Sequence, residues 1–485
     1  MSKLRASAVR SAGWLFLRAG GRQAANTAAF FTIAALVSPA AFGLASIAAA
    51  LAMILRAALQ RGLRDIVIQR AELSAEALDT AFWLNLCLAG VLSLGLLVAT
   101  PLVVLAYGQP SLGPLIAVSS LLPLIAGLSA IQEARLEREF RHRTLTIAQL
   151  CASLLAAVIG IGLALSGAGA WALIFYNIVE AAALTMVTLA LARWLPGLRF
   201  SFTEARSQIR FAWPLMVSFT FTNGNLRFAQ LVVGLILGPQ ATAYFRVGSQ
   251  VNQFLTQTVA APIVRVLLPA FSRLEADFGR HYVRALAAVC AFAFPAFLGA
   301  AAVAPAILPK LMGDDWQIAA DLSGILCFAV FAAVPLQVLT PALIARGQPA
   351  MSSRLSIGSV VAGLLATTVG AFFGIFGAAF GFAARSVVTT PAGLLTASRI
   401  LGASWGAQMR AILAYGAAAL ACYLSARLLL LVDADGIAAW GIIAGAVVLG
   451  ASVYALAVRF GIRWAAPDAY EPLKAAAPAR LRKYL

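Results

Sequence analysis

Charged residues are scarce in this chain, at 11% of 485 positions, whereas soluble domains carry about a quarter. That scarcity excludes a water-facing surface around most of the molecule. Histidine is rarer still: His142 and His281 both sit among arginines in basic segments, without the spacing of metal ligands. No metal or cofactor is expected. Walker-type phosphate loops are absent, which excludes ATP hydrolysis by the chain itself. Asp314 and Asp315 adjoin Trp316 in a short outer loop and read as a solvated turn rather than a catalytic carboxylate pair. With no reactive constellation, the chain is not read as an enzyme. The cysteines Cys87, Cys151, Cys290, Cys327 and Cys422 fall inside apolar segments without Cys-x-x-Cys spacing and read as small core residues.

What is present is apolar: 62% of residues, gathered in runs of roughly 18 to 25, the length that carries a helix across a hydrocarbon core of about 30 Å. The expected fold is all-α, a polytopic membrane protein of about fourteen helices. Their centres lie near residues 26, 49, 93, 123, 155, 181, 223, 254, 294, 332, 363, 388, 418 and 448. A formal charge of +18 raises the question of nucleic acid, but the charges alternate along the chain. Basic loops hold Arg61, Arg64 and Arg70, then Arg135 to Arg143, Arg193 to Arg210, Arg265 to Arg284, Arg346 with Arg354, and Arg399 with Arg410. The intervening loops are nearly free of basic residues, Lys310 excepted. Basic loops remain cytoplasmic, so the pattern places both termini inside a bacterial inner membrane. No nucleic-acid partner is expected. Arg18 and Arg22 interrupt the first apolar stretch, which argues against a cleavable signal.

Two polar joints divide the chain into an N-terminal lobe of helices 1–6 (1–203), a C-terminal lobe of helices 7–12 (204–402), an extra helix pair (403–465) and a basic cytoplasmic tail (466–485). The lobes read as repeats offset by about 200 residues. LVSPAAFGLA at Leu36 to Ala45 parallels LGPQATAYF at Leu237 to Phe245, each with a proline in a tight outer turn before the second helix of its lobe.

Charged groups inside a spanning helix cost about 2.5–3.5 kcal/mol and usually face a partner or a wet cavity. Arg18, Arg22 and Asn26 recur every four residues on one face of the first span. Thr220, Asn223, Arg227 and Gln230 share a face of the seventh, and Arg246, Gln250, Gln253 and Gln257 a face of the eighth. Weaker candidates are Arg56 with Gln60, Asn85, Asn177 with Glu180, and Arg385 with Thr389. Such residues can also hydrogen-bond neighbouring helices or snorkel to an interface. Arginines with amides suit a ligand rich in phosphate and hydroxyl groups, because guanidinium pairs with phosphate oxygens and amides both donate and accept. Glu180, the one acid well inside a span, is the candidate for ion coupling.

These residues resemble a known family. VIQRAELSAE (Val67 to Glu76), TAFWLN (Thr80 to Asn85), GAGAWALI (Gly167 to Ile174), LGPQATAYF and VRVLLPAFSRL (Val264 to Leu274), with Gly347 and Pro349, are similar in order and spacing to Wzx-type oligosaccharide flippases. That is the polysaccharide-transport branch of the superfamily that also contains multidrug extruders and the peptidoglycan lipid flippase. The resemblance implies two lobes, alternating access and a cationic cavity for undecaprenyl-diphosphate-linked sugars. Polysaccharide polymerase and glycosyltransferases are implied partners, with membrane lipids around the protein. One departure stands out: Ala229 occupies a position where this branch often has an acid, so coupling through that acid is in doubt. The alternatives are a cation-coupled drug extruder and a non-transporting scaffold or polymerase. The extruder calls for an acidic cavity, and the polymerase for a longer outer loop than Leu308 to Ile318.

Overall fold

The computed structural model describes residues 23–70, 74–139, 141–192, 194–274, 277–432 and 436–462, and every regular element among them is helical. The first compact unit, Ala24–Arg246, begins with α1 (23–36). It continues with α2 (Pro39–Leu59), α3 (Leu63–Gln69), α4 (Ala75–Tyr107), α5 (Leu112–Ser119) and α6 (Leu121–Arg138). Then come α7 (His142–Leu165), α8 (Ala170–Ala192), α9 (Phe202–Leu237) and the start of α10 (Pro239–Leu255). The second unit, from Val247 onward, holds the rest of α10, a π-helical turn Thr256–Ala260 and α11 (Ala261–Phe271). Its other helices are α12 (Phe278–Met312), α13 (Gln317–Phe328), α14 (Val330–Ala345), α15 (Pro349–Ala371), α16 (Gly374–Leu401), α17 (Trp405–Leu429) and α18 (Gly436–Leu456).

Each of the fourteen expected spans falls on a helical run. Among the described residues, ten runs are long and apolar enough to cross a membrane, and an eleventh counts if the bent pair α13 and α14 is one span. Neither α9 nor α16 is among the ten; they carry the polar stripe around Arg227 and the lone Arg385. Pro39 and Pro239 open α2 and α10, where a missing N–H costs nothing.

In the first unit α2 is central, packed against α5, α6, α8 and α9. Its buried face is a run of alanines, including Ala45, Ala48, Ala49 and Ala52. Small residues let backbones approach where lipid provides no hydrophobic drive between helices. Gly43 takes this furthest: a Cβ there would lie 1.8 Å from the carbonyl oxygen of Pro239. The outward face is apolar as well. Val91, Leu94, Val98, Leu102 and Leu105 of α4 are all exposed, at helical spacing. The same inversion corrects the reading of the cysteines. Cys290, Cys327 and Cys422 are buried, but Cys87 and Cys151 face outward, because in a bilayer an apolar side chain is as well placed on the exterior as in the core.

In the second unit α12 packs against α13, α14, α17 and α18 around Tyr282, Phe294, Phe297 and Tyr415. The helix pair within 403–465 is thus integrated on α12. Chain division by packing falls between Arg246 and Val247; α9, which lies beyond residue 203, packs on α2 and α4 in the first unit. The hairpin α15–α16 meets backbone to backbone, with a Cβ at Gly381 only 2.1 Å from the Ala366 carbonyl oxygen.

Some arginines of the basic loops are held by acids or backbone carbonyls at one end of the first unit. Arg64 bridges Glu133 at 3.0 Å and Glu137 at 2.6 Å, tying α3 to α6. Arg138 donates to the carbonyls of Val67 and Arg70. Arg70 donates to Glu204 at 2.8 Å, and that bond holds the Glu204 carboxyl below its usual range. Because Arg64 and Glu133 are largely sequestered, Arg64→Ala should lower stability by about 2 kcal/mol, the order of a charge-assisted hydrogen bond. The check is a lowered melting temperature in detergent, against an unchanged one for Arg427→Ala, which forms no ion pair among the described residues.

Candidate functional site

The site is built largely on α9. Ser201 caps it by accepting from the Glu204 amide, with Glu at the third position as in a capping box. Spacings of three and four then place Asn223, Arg227 and Gln230 on one face. Arg227 donates to the Asn223 carbonyl at 3.4 Å and lies 3.6 Å from the sulfur of Met53 on α2. Arg56, one turn further along α2, is near enough for the two guanidiniums to repel each other. Arg227 in turn repels Arg246, on α10. Arg246 sits 5.0 Å from the centre of the Phe30 ring on α1 and interacts with Tyr176 on α8. Helices α2, α9 and α10 thus bring Arg56, Arg227 and Arg246 together within the first unit, with rings from α1 and α8 beside Arg246.

Several polar atoms around this cluster are buried without a hydrogen-bond partner among the described residues. They are the Arg56 Nε, the Asn26 Oδ1 and the Gln230 Nε2. Arg56 and Arg227 form no ion pair among the described residues either. Burying like charges together is unfavourable unless an opposite charge is supplied. Several guanidinium donors in one place suit phosphate oxygens chemically.

Other expected residues are accounted for differently. Asn223 is exposed and bonded to the Phe219 carbonyl. Thr220 bonds back to Met216, and Asn177 to Leu173, each within its own helix. Asn85 donates to the Gly127 carbonyl, joining α4 to α6. Glu180 accepts from Ser153 at 3.1 Å across α7 and α8 and forms no ion pair among the described residues. Arg18 and Arg22 lie outside the described residues. In the second unit Gln250 is buried with an unpartnered Oε1, and Gln253 is half-buried. The π turn at Thr256–Ala260 interrupts the α-helical repeat before the stripe reaches Gln257. Arg385 stacks 3.7 Å over Phe382, with one terminal nitrogen buried and without a partner. Asp314 and Asp315 are exposed in a short 3-10 turn. Among the described residues no group of His, Cys, Asp and Glu is able to hold a metal ion.

Sequence reasoning overlooked Phe30, Met53 and Tyr176. The only signal for Tyr176 was its place beside Asn177 and one turn before Glu180; Phe30 and Met53 are indistinguishable in sequence from other apolar residues of their helices.

A family model described as polysaccharide biosynthesis protein matches residues 32–321. The chain belongs to that family. The matched stretch holds Arg56, Arg227 and Arg246 but not Arg385. Among relatives in this family, the succinoglycan biosynthesis transport protein ExoT of Rhizobium meliloti (strain 1021) is 26% identical over 347 residues, 70% of each chain. The lipopolysaccharide biosynthesis protein WzxC of Escherichia coli (strain K12) is 24% identical over 339 residues, 68% of each. Of solved structures, the inward closed lipid II flippase MurJ superposes with a TM-score of 0.78 at 13% identity, covering 93% of this chain and 99% of its own. An inward-facing multidrug MATE transporter gives 0.62 at 14% identity, over 78% and 94%. These two establish a shared polytopic helical fold.

Proposed function

We propose that this family member is a flippase that translocates polyprenyl-diphosphate-linked oligosaccharide units across the inner membrane by alternating access. The observation that carries the reading is the gathering of Arg56, Arg227 and Arg246 from helices α2, α9 and α10. A diphosphate supplies negative charge to Arg56 and Arg227, which form no ion pair among the described residues, with Arg246 beside them. Asn26, Asn223 and Gln230 offer amides to the first sugars, while the polyprenyl tail stays in lipid. Gln250, Gln253 and Arg385 are the polar candidates contributed by the second unit, and Arg18 and Arg22 those of the N-terminus. Glu180 is the acid proposed for ion coupling. On this reading both termini are cytoplasmic, and glycosyltransferases and a polysaccharide polymerase are the partners of the chain.

The test is the sidedness of lipid-diphosphate-linked repeat units in cells with and without the gene, read with a membrane-impermeant probe of the sugar. Units trapped on the cytoplasmic side in the deletion, and released on re-expression, are the expected result. Unchanged sidedness with altered drug sensitivity would move the protein to the extruder class.

A further inference from the structure

The linker before α9, together with the first turns of that helix, forms a surface that the arginine cluster does not use. α9 has 36 residues, about 54 Å at the α-helical rise, against a hydrocarbon core of about 30 Å. Its C-terminal stretch from Leu231 to Leu237 is apolar and is followed at once by α10, so the excess length lies at the N-terminal end. Exposed there are Leu195, Leu198, Phe200, Phe202, Ile209 and Trp213, with Phe202 84% and Trp213 61% accessible. Large apolar and aromatic side chains in that number are unfavourable in water and well placed at the boundary of headgroups and acyl chains.

Arginines are interleaved with them. Arg199, Arg206 and Arg210 are exposed and form no ion pair among the described residues, although Arg70 nearby is paired with Glu204. Arg206 and Arg210, one turn apart, stand on an open groove of about 670 Å³ whose walls include Leu84, Phe200, Phe202 and Ile209. The groove is preformed, because the linker is pinned to α4. Trp83 donates to the Gly197 carbonyl at 2.8 Å, the Gly197 amide to Asp79 at 3.0 Å and the Ser201 amide to Thr80 at 3.1 Å. Gln208 donates to the Ala77 carbonyl at 3.0 Å.

We propose that this groove binds an acidic glycerophospholipid, with the headgroup phosphate on Arg206 and Arg210 and an acyl chain along the apolar wall. Charge complementarity selects the lipid. Two unpaired guanidiniums favour a net-negative headgroup over a zwitterionic one, and the apolar wall favours a lipid over a free phosphate. The site is independent of the flippase reading.

Full-length protein is mixed in detergent with phosphatidylglycerol or phosphatidylcholine, and lipid retention is read by native mass spectrometry. The wild type should retain phosphatidylglycerol about thirtyfold better, as expected for two arginines near an anionic headgroup. Arg206→Gln/Arg210→Gln should bring the two lipids to parity at an unchanged melting temperature in phosphatidylcholine, while Arg427→Gln retains the preference. In the wild type, raising salt to about 0.5 M should also erase most of the difference. Equal retention by the wild type, a preference that survives in the double variant, or one indifferent to salt would overturn the proposal.

Discussion

Cells whose only copy of this protein carries Arg227→Ala and Arg246→Ala should accumulate lipid-linked repeat units on the cytoplasmic face, at undiminished protein abundance. The two guanidiniums sit in the cluster with Arg56, and each charge-assisted contact to phosphate is worth about 1.5–3 kcal/mol. Losing two contacts would weaken diphosphate binding by about 3–6 kcal/mol, a factor of at least about one hundred. Abundance should hold because removing members of a like-charge cluster relieves repulsion in the empty protein, whereas removing one partner of an ion pair leaves a charge stranded. Thus the double variant separates function from folding, unlike Arg64→Ala. Protein level by immunoblot and sugar sidedness are measured together. Normal export at normal abundance would remove the cluster from the substrate path.

Gly43→Ala should have the opposite signature, with loss of folded protein. The new Cβ would lie 1.8 Å from the Pro239 carbonyl oxygen and 2.4 Å from its carbon, both backbone atoms that cannot step aside as a side-chain tip can. Overpacking of ordinary side chains costs about 1–3 kcal/mol, and a clash with backbone belongs at or above the upper end of that range. Gly90→Ala provides the contrast. A Cβ there meets nothing within 4 Å, and alanine is about 1 kcal/mol better than glycine in a helix interior. Melting temperature in a fixed detergent should therefore fall for Gly43→Ala and hold or rise for Gly90→Ala. If the two variants melt alike, the close approach of α2 to the start of α10 is not what holds this end of the first unit together.

Much of the architecture was legible in the chain because the bilayer imposes it. A span needs about twenty apolar residues, so the apolar runs could be located, and Pro39 and Pro239 could be placed in turns just ahead of helices, although the structure has them as the first helical residues. The helical repeat also put Asn223, Arg227 and Gln230 on one face. Arg56, with Gln60 its only polar companion on the second span, is one of the weaker candidates in the sequence. It gains its place only from the proximity of Arg227, which lies more than 170 positions away in sequence. Glu180 shows the converse, since among the described residues its side chain accepts from Ser153 and forms no ion pair.

By itself the sequence determined the membrane environment, the all-helical fold and the polar faces, because these follow from local length, composition and the 3.6-residue repeat. Tertiary structure alone decided which polar residues gather and which ones bond within their own helices. It alone decided that Phe30, Met53 and Tyr176 surround the arginines, and that α9 packs with the helices before it. The physical reason is that like-charge proximity, unsatisfied buried donors and backbone contact at Gly43 are properties of pairs of helices, and no periodicity along one chain encodes which pairs meet.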